Sequence, residues 1–342
     1  MPQPTAGDVH VNVPLTNISV AYAQSASAFV ADKLFSNIPV QKQSDRYFTY
    51  DRRYWQRTEA QRRAPGAQSA GSGFQINSTP TYYADVWAVH KDVPDQVRSN
   101  TDRPLDADRD ATNWVTQQML LAKEKQFAST FAATGVWANE TDVKATSTAW
   151  DANGSTPIED VAEASEQFLR TTGYRPNVGV FSPGVERTLK NHSLVLDRIK
   201  YTQRGIVTND LLASLFDLDR LYTLQAVEYT GNEPAVGGYD PSDVSTVQGI
   251  NSQMQFIGED PDGTSGNGFF LLLYVPPAPS ILTPAAGYTF SWTGYMGASA
   301  MGGRIKRFRM EENASDRIEM EMAFDMKVVC ADMGYLFTNL YG

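Results

Sequence analysis

Ser44-Asp-Arg-Tyr-Phe-Thr-Tyr-Asp-Arg-Arg-Tyr-Trp55 opens the stretch whose reading decides the fold, and Lys91 closes it. Its aromatic and β-branched residues favour extended chain. Past Arg57, Arg62 and Arg63 comes a small, flexible tip, Ala64-Pro-Gly-Ala-Gln-Ser-Ala-Gly-Ser-Gly73, punctuated as turns are by Pro65 and glycines. A second extended run follows through Phe74, Ile76, Tyr82, Tyr83, Val86, Trp87 and Val89. The pair reads as a long two-stranded β-arm. At roughly 18 residues per strand and about 3.3 Å per residue it would reach on the order of 60 Å. A lone two-stranded ribbon is marginal in water, and Arg, Tyr and Trp are the side chains that anchor interfaces. The arm is therefore expected to lie on another subunit.

Charge supports that expectation. The stretch 44–91 carries six Arg and one Lys against four acids, a local +3, in a chain whose net charge is −10. A cationic arm on an acidic body suits docking of one copy onto the next. The acidic total argues against a dedicated nucleic-acid binder. Forty-two per cent hydrophobic and twenty per cent charged over 342 residues is globular composition with room for two or three folding units. The longest apolar run, Phe269-Phe-Leu-Leu-Leu-Tyr-Val275, stops at Pro276 and is too short to cross a bilayer. No membrane partner is expected. The first residues lack the basic and apolar blocks of a secretory signal. A single cysteine, Cys330, excludes an intramolecular disulfide framework and fits a reducing compartment.

Working outward, Met1 to Asn12 lacks periodicity and Ser25 to Phe35 suits a short amphipathic helix. After the arm, Val93-Pro94 and Arg103-Pro104 mark breaks, and a helix is expected over 105–134 with Pro104 near its first turn and Gly135 as its stop. Thr156-Pro-Ile-Glu159 is a capping box before a helix stopped by Gly173. Val178–Phe181 reads as a buried strand, Ser182-Pro-Gly as a helix start and Thr208 as the cap of another helix. Leu221 to Glu228 reads as a strand. This alternation suggests an α/β unit. Gly231 to Gly268 reads as exposed loop with one strand at 254–257. Asp316 to Val328 alternates, with Ile318, Met320, Met322, Phe324, Met326 and Val328 on one face, which is a half-buried strand. Asn313-Ala-Ser315 is the turn from a preceding strand.

Catalytic patterns are not evident. His10, His90 and His192 stand in unrelated contexts, with no paired cysteines, no nucleophile elbow and no phosphate-binding loop. Asp106-X-Asp108-X-Asp110 imitates the start of a calcium loop, but Ala111 and Gln117 occupy the positions that need Gly and an acid. Acids at a helix N-terminus explain it better. The Asp260-Pro-Asp262-Gly263 segment reads as a turn, and Cys330 as packing. No cofactor or metal site is expected.

Phe29-Val-Ala-Asp-Lys-Leu-Phe35, Ile38-Pro-Val-Gln-Lys-Gln-Ser-Asp-Arg-Tyr-Phe48 and Arg63-Ala-Pro-Gly66 closely resemble the start of tailed-bacteriophage major capsid proteins. The order of elements resembles that family over essentially the whole chain. The resemblance implies an α+β, HK97-like capsid fold: N-terminal arm at 1–43, E-loop at 44–91, spine helix and peripheral domain at 92–154, axial domain at 155–299, and return strands of the peripheral domain at 300–342. It implies a non-enzymatic shell protein, assembled from hexamers and pentamers of itself into an icosahedral virion capsid around nonspecifically held double-stranded DNA. Synthesis in the host cytoplasm, a portal and a possible decoration protein follow from the same resemblance, and a separate scaffolding protein is expected because Met1 leads directly into the arm without the archetype's long helical segment ahead of it. The family's archetype crosslinks neighbours through an E-loop lysine, whereas here no Lys lies between Lys42 and Lys91, so noncovalent contacts are expected. Arg46, Tyr50, Arg52, Arg53, Tyr54, Trp55, Arg57, Arg62 and Arg63 are the candidate interface residues, with Glu311, Glu312, Glu319 and Glu321 of a neighbour as their acidic partners. An encapsulin-like compartment shell is the nearest alternative, and a small oligomeric enzyme a more distant one.

Overall fold

The alternating run at the C-terminal side becomes the longest strand among the described residues, Ser315–Val328, and half of the molecule is assembled on it. The computed structural model describes residues 24–101, 105–146, 148–199, 206–231, 243–258, 268–279, 283–295, 298–299 and 302–342. Met1 to Asn12, Arg103-Pro104 and the Asp260–Gly263 turn lie outside them.

In chain order, a 3-10 turn at Ala26–Ala28 leads to a one-turn helix α1 (Ala31–Leu34) and strand β1 (Ser36–Val40). The arm contributes β2 (Ser44–Arg46), β3 (Thr49–Tyr50), the one-turn helix α2 (Arg52–Trp55), β4 (Ile76–Asn77) and β5 (Thr81–Tyr83). Strand β6 (Asp85–Pro94) leaves it, and α3 (Asp95–Ser99) leads to the long helix α4 (Ala107–Phe131). Then come β7 (Asn139–Asp142), α5 (Val143–Thr146), α6 (Pro157–Thr172), β8 (Val178–Phe181), α7 (Pro183–Asn191), α8 (Ser193–Ile199) and α9 (Asn209–Leu215). Strands β9 (Arg220–Thr223) and β10 (Val227–Tyr229) precede α10 (Val244–Asn251), β11 (Met254–Phe256) and β12 (Phe269–Leu273). Strands β13 (Gly287–Trp292), β14 (Gly303–Met310), β15 (Ser315–Val328) and β16 (Gly334–Thr338) follow.

The first sheet is centred on β15. Its N-terminal part lies between β14 and β6, both antiparallel, and its C-terminal part pairs with β13, which carries β1 in parallel at the edge. Ile318, Met320, Met322, Phe324 and Met326 are buried as the alternation requires. Helix α4 packs across β15 and β6. Its 25 residues span about 37 Å at 1.5 Å each, and Ala111, Val115, Met119, Phe127, Ala128 and Phe131 form its buried side. Asp106 caps it, accepting the Asp108 and Arg109 N–H groups at 3.1 Å each. The helix closes at Ala132, short of the expected Gly135, which takes a left-handed φ of 83° in the following loop.

The second sheet runs β7-β16-β12-β8-β9. Strands β8 and β12 are wholly buried, and Phe181, Phe270, Phe337 and Trp150 pack ring against ring in its core. Helix α6 starts with Pro157 and ends on Gly173 at φ 80°. Thr156 does not cap it. Its hydroxyl instead donates to Asp160, which also accepts the Trp150 indole N–H.

Sheet membership crosses the expected divisions: strand β13, within 155–299, pairs in the first sheet, while β7 and β16, outside it, lie in the second. The reason is burial: Tyr335, Leu336 and Phe337 of β16 complete the core around β12. One continuous hydrophobic cluster joins both sheets. The expected strand over 221–228 divides into β9 and β10 around the buried Leu224 and Ala226, and the expected helix over 25–35 is a 3-10 turn plus α1. The loop expected over 231–268 also contains α10.

Candidate assembly interface

The arm is a ribbon in two short ladders. Strand β2 pairs with β5, and β3 with β4. The partner numbers shift by one between the ladders, which places one extra residue in the return strand near Pro80. Proline is tolerated at such a bulge. The expected pair of 18-residue strands is therefore corrected: the return strand leaves the arm at Ala84, and residues 85–94 become β6 of the body. Body pairing wins there because β15 offers ten consecutive partners.

Two anchors fix the arm to its own body. At the root, Tyr47 and Tyr82 stack on Phe290 of β13, with ring centroids 5.5 and 4.7 Å away, and the Tyr83 N–H donates to Asp325 at 2.9 Å. Burial raises the Asp325 carboxyl above its ordinary value despite that bond. Further out, Arg52 donates to the Thr171 carbonyl and pairs with Asp332, and Gln56 donates to the Thr172 carbonyl. These carbonyls close α6, where a helix presents negative partial charge to a cation. Beyond this point residues 60–79 are all exposed.

The candidate arginines separate. Arg52 is spent on the body. Arg53 is tied to Asp51 by three side-chain bonds of 2.6–3.0 Å. Arg57 pairs with Glu59 and sits over the Tyr54 ring. Arg63 donates to the Ala67 carbonyl. Arg46 and Arg62 make no ion pair among the described residues. Of the aromatics, Tyr50 and Trp55 meet in a small cluster with Phe74, at centroid distances of 5.5–5.9 Å. Phe74, Phe48 and Ile76 were read as extended chain and not as interface candidates. Their position two residues before or opposite Tyr50 was the available signal.

The candidate acids also separate. Glu321 is buried and accepts from Arg304 and Lys306 at 2.5 Å each. Burial works to raise its pKa, but those donors win and hold it at about 2. Within the subunit its partners thus lie in its own sheet. Glu319 lies opposite Lys306 and His90 in the ladders. Glu311 pairs with Arg309 at 3.6 Å, and Glu312 has no ion-pair partner among the described residues. The same hairpin holds a cluster that sequence reading missed. Asp316 takes Arg98, Arg307 and Arg309, Asp95 takes Arg309 through both of its oxygens, and Asp108 takes Arg98 and Arg307. Arg307 holds the Asp316 carboxyl below its usual value, and Arg309 does the same for Asp95.

A second missed feature lies under the N-terminal segment. Glu124 on α4 is 1% exposed and accepts the Val30 and Ala31 N–H groups at 3.0–3.1 Å. Adjacent Lys123, 2% exposed, pairs with Asp32 and lies over the Phe324 ring.

Ser155 and His192 form a buried pair, Oγ to Nε2 at 2.9 Å. The Nδ1 atom accepts the Leu194 N–H at 3.2 Å, which places the ring hydrogen on Nε2. That nitrogen donates to Ser155 and cannot take its proton, so the pair is structural. Burial and Asp332 push the Cys330 thiol up, away from reactivity.

Arm, long helix and two sheets in this order define the HK97-like capsid fold. The chain is related along nearly its whole length to tailed-phage major capsid proteins: it is 22% identical to the major capsid protein of Burkholderia phage BcepMu, with 97% of each chain covered. Among solved structures, a phage-related protein of Bordetella bronchiseptica matches with TM-score 0.64 and 19% identity over 93% of this chain and 94% of that one. The SrpI encapsulin of Synechococcus elongatus matches with TM-score 0.56 and 11% identity over 99% and 96%. No family model matches.

Proposed function

We propose that the chain is a major capsid protein: a subunit that assembles with copies of itself into the icosahedral shell of a tailed phage. The observation that carries this reading is the arm, anchored to its own body at its root and at Arg52 and Gln56 and exposed throughout residues 60–79, on a fold related over nearly its whole length to phage capsid proteins. The fold supplies rigid sheets, and the arm supplies reach to a neighbour without catalysis or covalent bonding. The expected division into N-terminal arm, E-loop, spine helix, axial and peripheral parts serves as the working map of the subunit within hexamers and pentamers. Packaged DNA, a scaffolding protein, a portal and a decoration protein are the partners this role implies, and the virion capsid is its location.

Replacing residues 57–73 by a short Gly-Ser turn tests the reading. The variant should keep its far-ultraviolet circular dichroism and lose megadalton particles in sedimentation and electron micrographs. Shells of normal size from that variant would remove the arm from the lattice. The compartment-shell alternative has a structural likeness behind it, and particles purified from infected cells separate the two by whether they hold DNA or enzyme cargo.

A further inference from the structure

Tyr47 turns to the body, where it stacks on Phe290. Its neighbour Phe48 is left exposed, and Tyr50 follows in the β3–β4 ladder. Ile76 lies opposite Tyr50 and so shares its face, and Phe74 and Trp55 join Tyr50 by ring contact. The outward face thus holds five apolar or aromatic side chains, of which Phe48 is 68% exposed, Phe74 56%, Trp55 55% and Ile76 51%. Arg53 and Arg57, by contrast, already have acids within the arm, and Arg52 has one on the body.

We infer that this outward face of Phe48, Tyr50, Trp55, Phe74 and Ile76 is the surface by which the arm binds a second copy of the chain, and that the arginines are not its main contacts. The inference rests on the proposed shell-forming role. A second copy is the occupant because the stretch 44–91 carries +3 in a chain of net charge −10, so the cationic arm is drawn to an acidic body like its own. That long-range attraction brings the pieces together; burial of rings then holds them, and burial of apolar surface does not weaken with salt as charge pairing does.

The test compares two double variants of the full chain, Phe48→Ala with Phe74→Ala, and Arg53→Gln with Arg57→Gln, each assembled in ~50 mM and ~1 M sodium chloride and measured by sedimentation. Both pairs of sites are exposed, and circular dichroism and thermal unfolding confirm the fold. The inference expects the phenylalanine variant to lose at least ten-fold in assembled fraction at both salts. The glutamine variant should assemble like the wild type, and wild-type shells should persist in high salt. Loss in the glutamine variant alone, or wild-type shells that dissolve in high salt, overturns the inference and leaves the arm as clamp. Normal assembly by both variants overturns the inference too, and with the turn replacement also assembling it overturns the shell-arm reading itself.

Discussion

Glu124 shows how much one side chain can hold. Its carboxylate accepts amides 93 and 94 residues away, and burial raises its pKa while those amides pull it back. Glu124→Ala should cost about 3 kcal/mol in urea unfolding of the unassembled subunit, because it leaves buried N–H groups unpaired. Asp32→Asn should cost a comparable amount by stranding the buried Lys123 ammonium. Neither role could be read from sequence: on α4 the Lys123-Glu124 pair looks like an ordinary solvated helix dipeptide, and only tertiary contact buries it. Asp106 is an intermediate case: its acid at a helix N-terminus was legible, because that chemistry is local, but the helix was expected from residue 105 and begins at Ala107 with Asp106 as its cap.

At the scale of elements, the β14–β15 hairpin depends on Glu321. Its folded pKa, about 2, lies below the ordinary 4.5, so the folded state binds fewer protons than the unfolded one. The resulting stability is complete above pH ~4.5 and is lost as pH falls toward 2. Glu321→Gln should flatten the acid limb of a pH–stability curve measured by thermal unfolding. For the arm, Phe290→Ala removes the ring between Tyr47 and Tyr82 and should speed amide exchange in β2 and β5 at least several-fold, leaving β12 unchanged. The arm's existence was legible from composition, and β15 from its strict alternation. Where the arm ends was not legible: Val86, Trp87 and Val89 have the same extended pattern whether they pair within a ribbon or with a strand more than 200 residues away. The sheet partners of β13 and β16 were not legible for the same reason, because pairing partners are set by the global core and not by local pattern.

For the whole molecule, both sheets share one core, so the two expected domains should unfold together in calorimetry, as a single transition in the unassembled subunit. The acid–arginine cluster around Asp316 is half-buried, with that central carboxylate 15% exposed, so salt should screen its outer pairs and shift that transition only modestly. Strand β16 sits between β7 and β12 in the second sheet. During translation, then, the sheet has a vacant central lane until residues 334–338 clear the ribosome. Nascent subunits crowded on one message would be unable to finish that sheet before those five residues emerge, which postpones polymerisation until then.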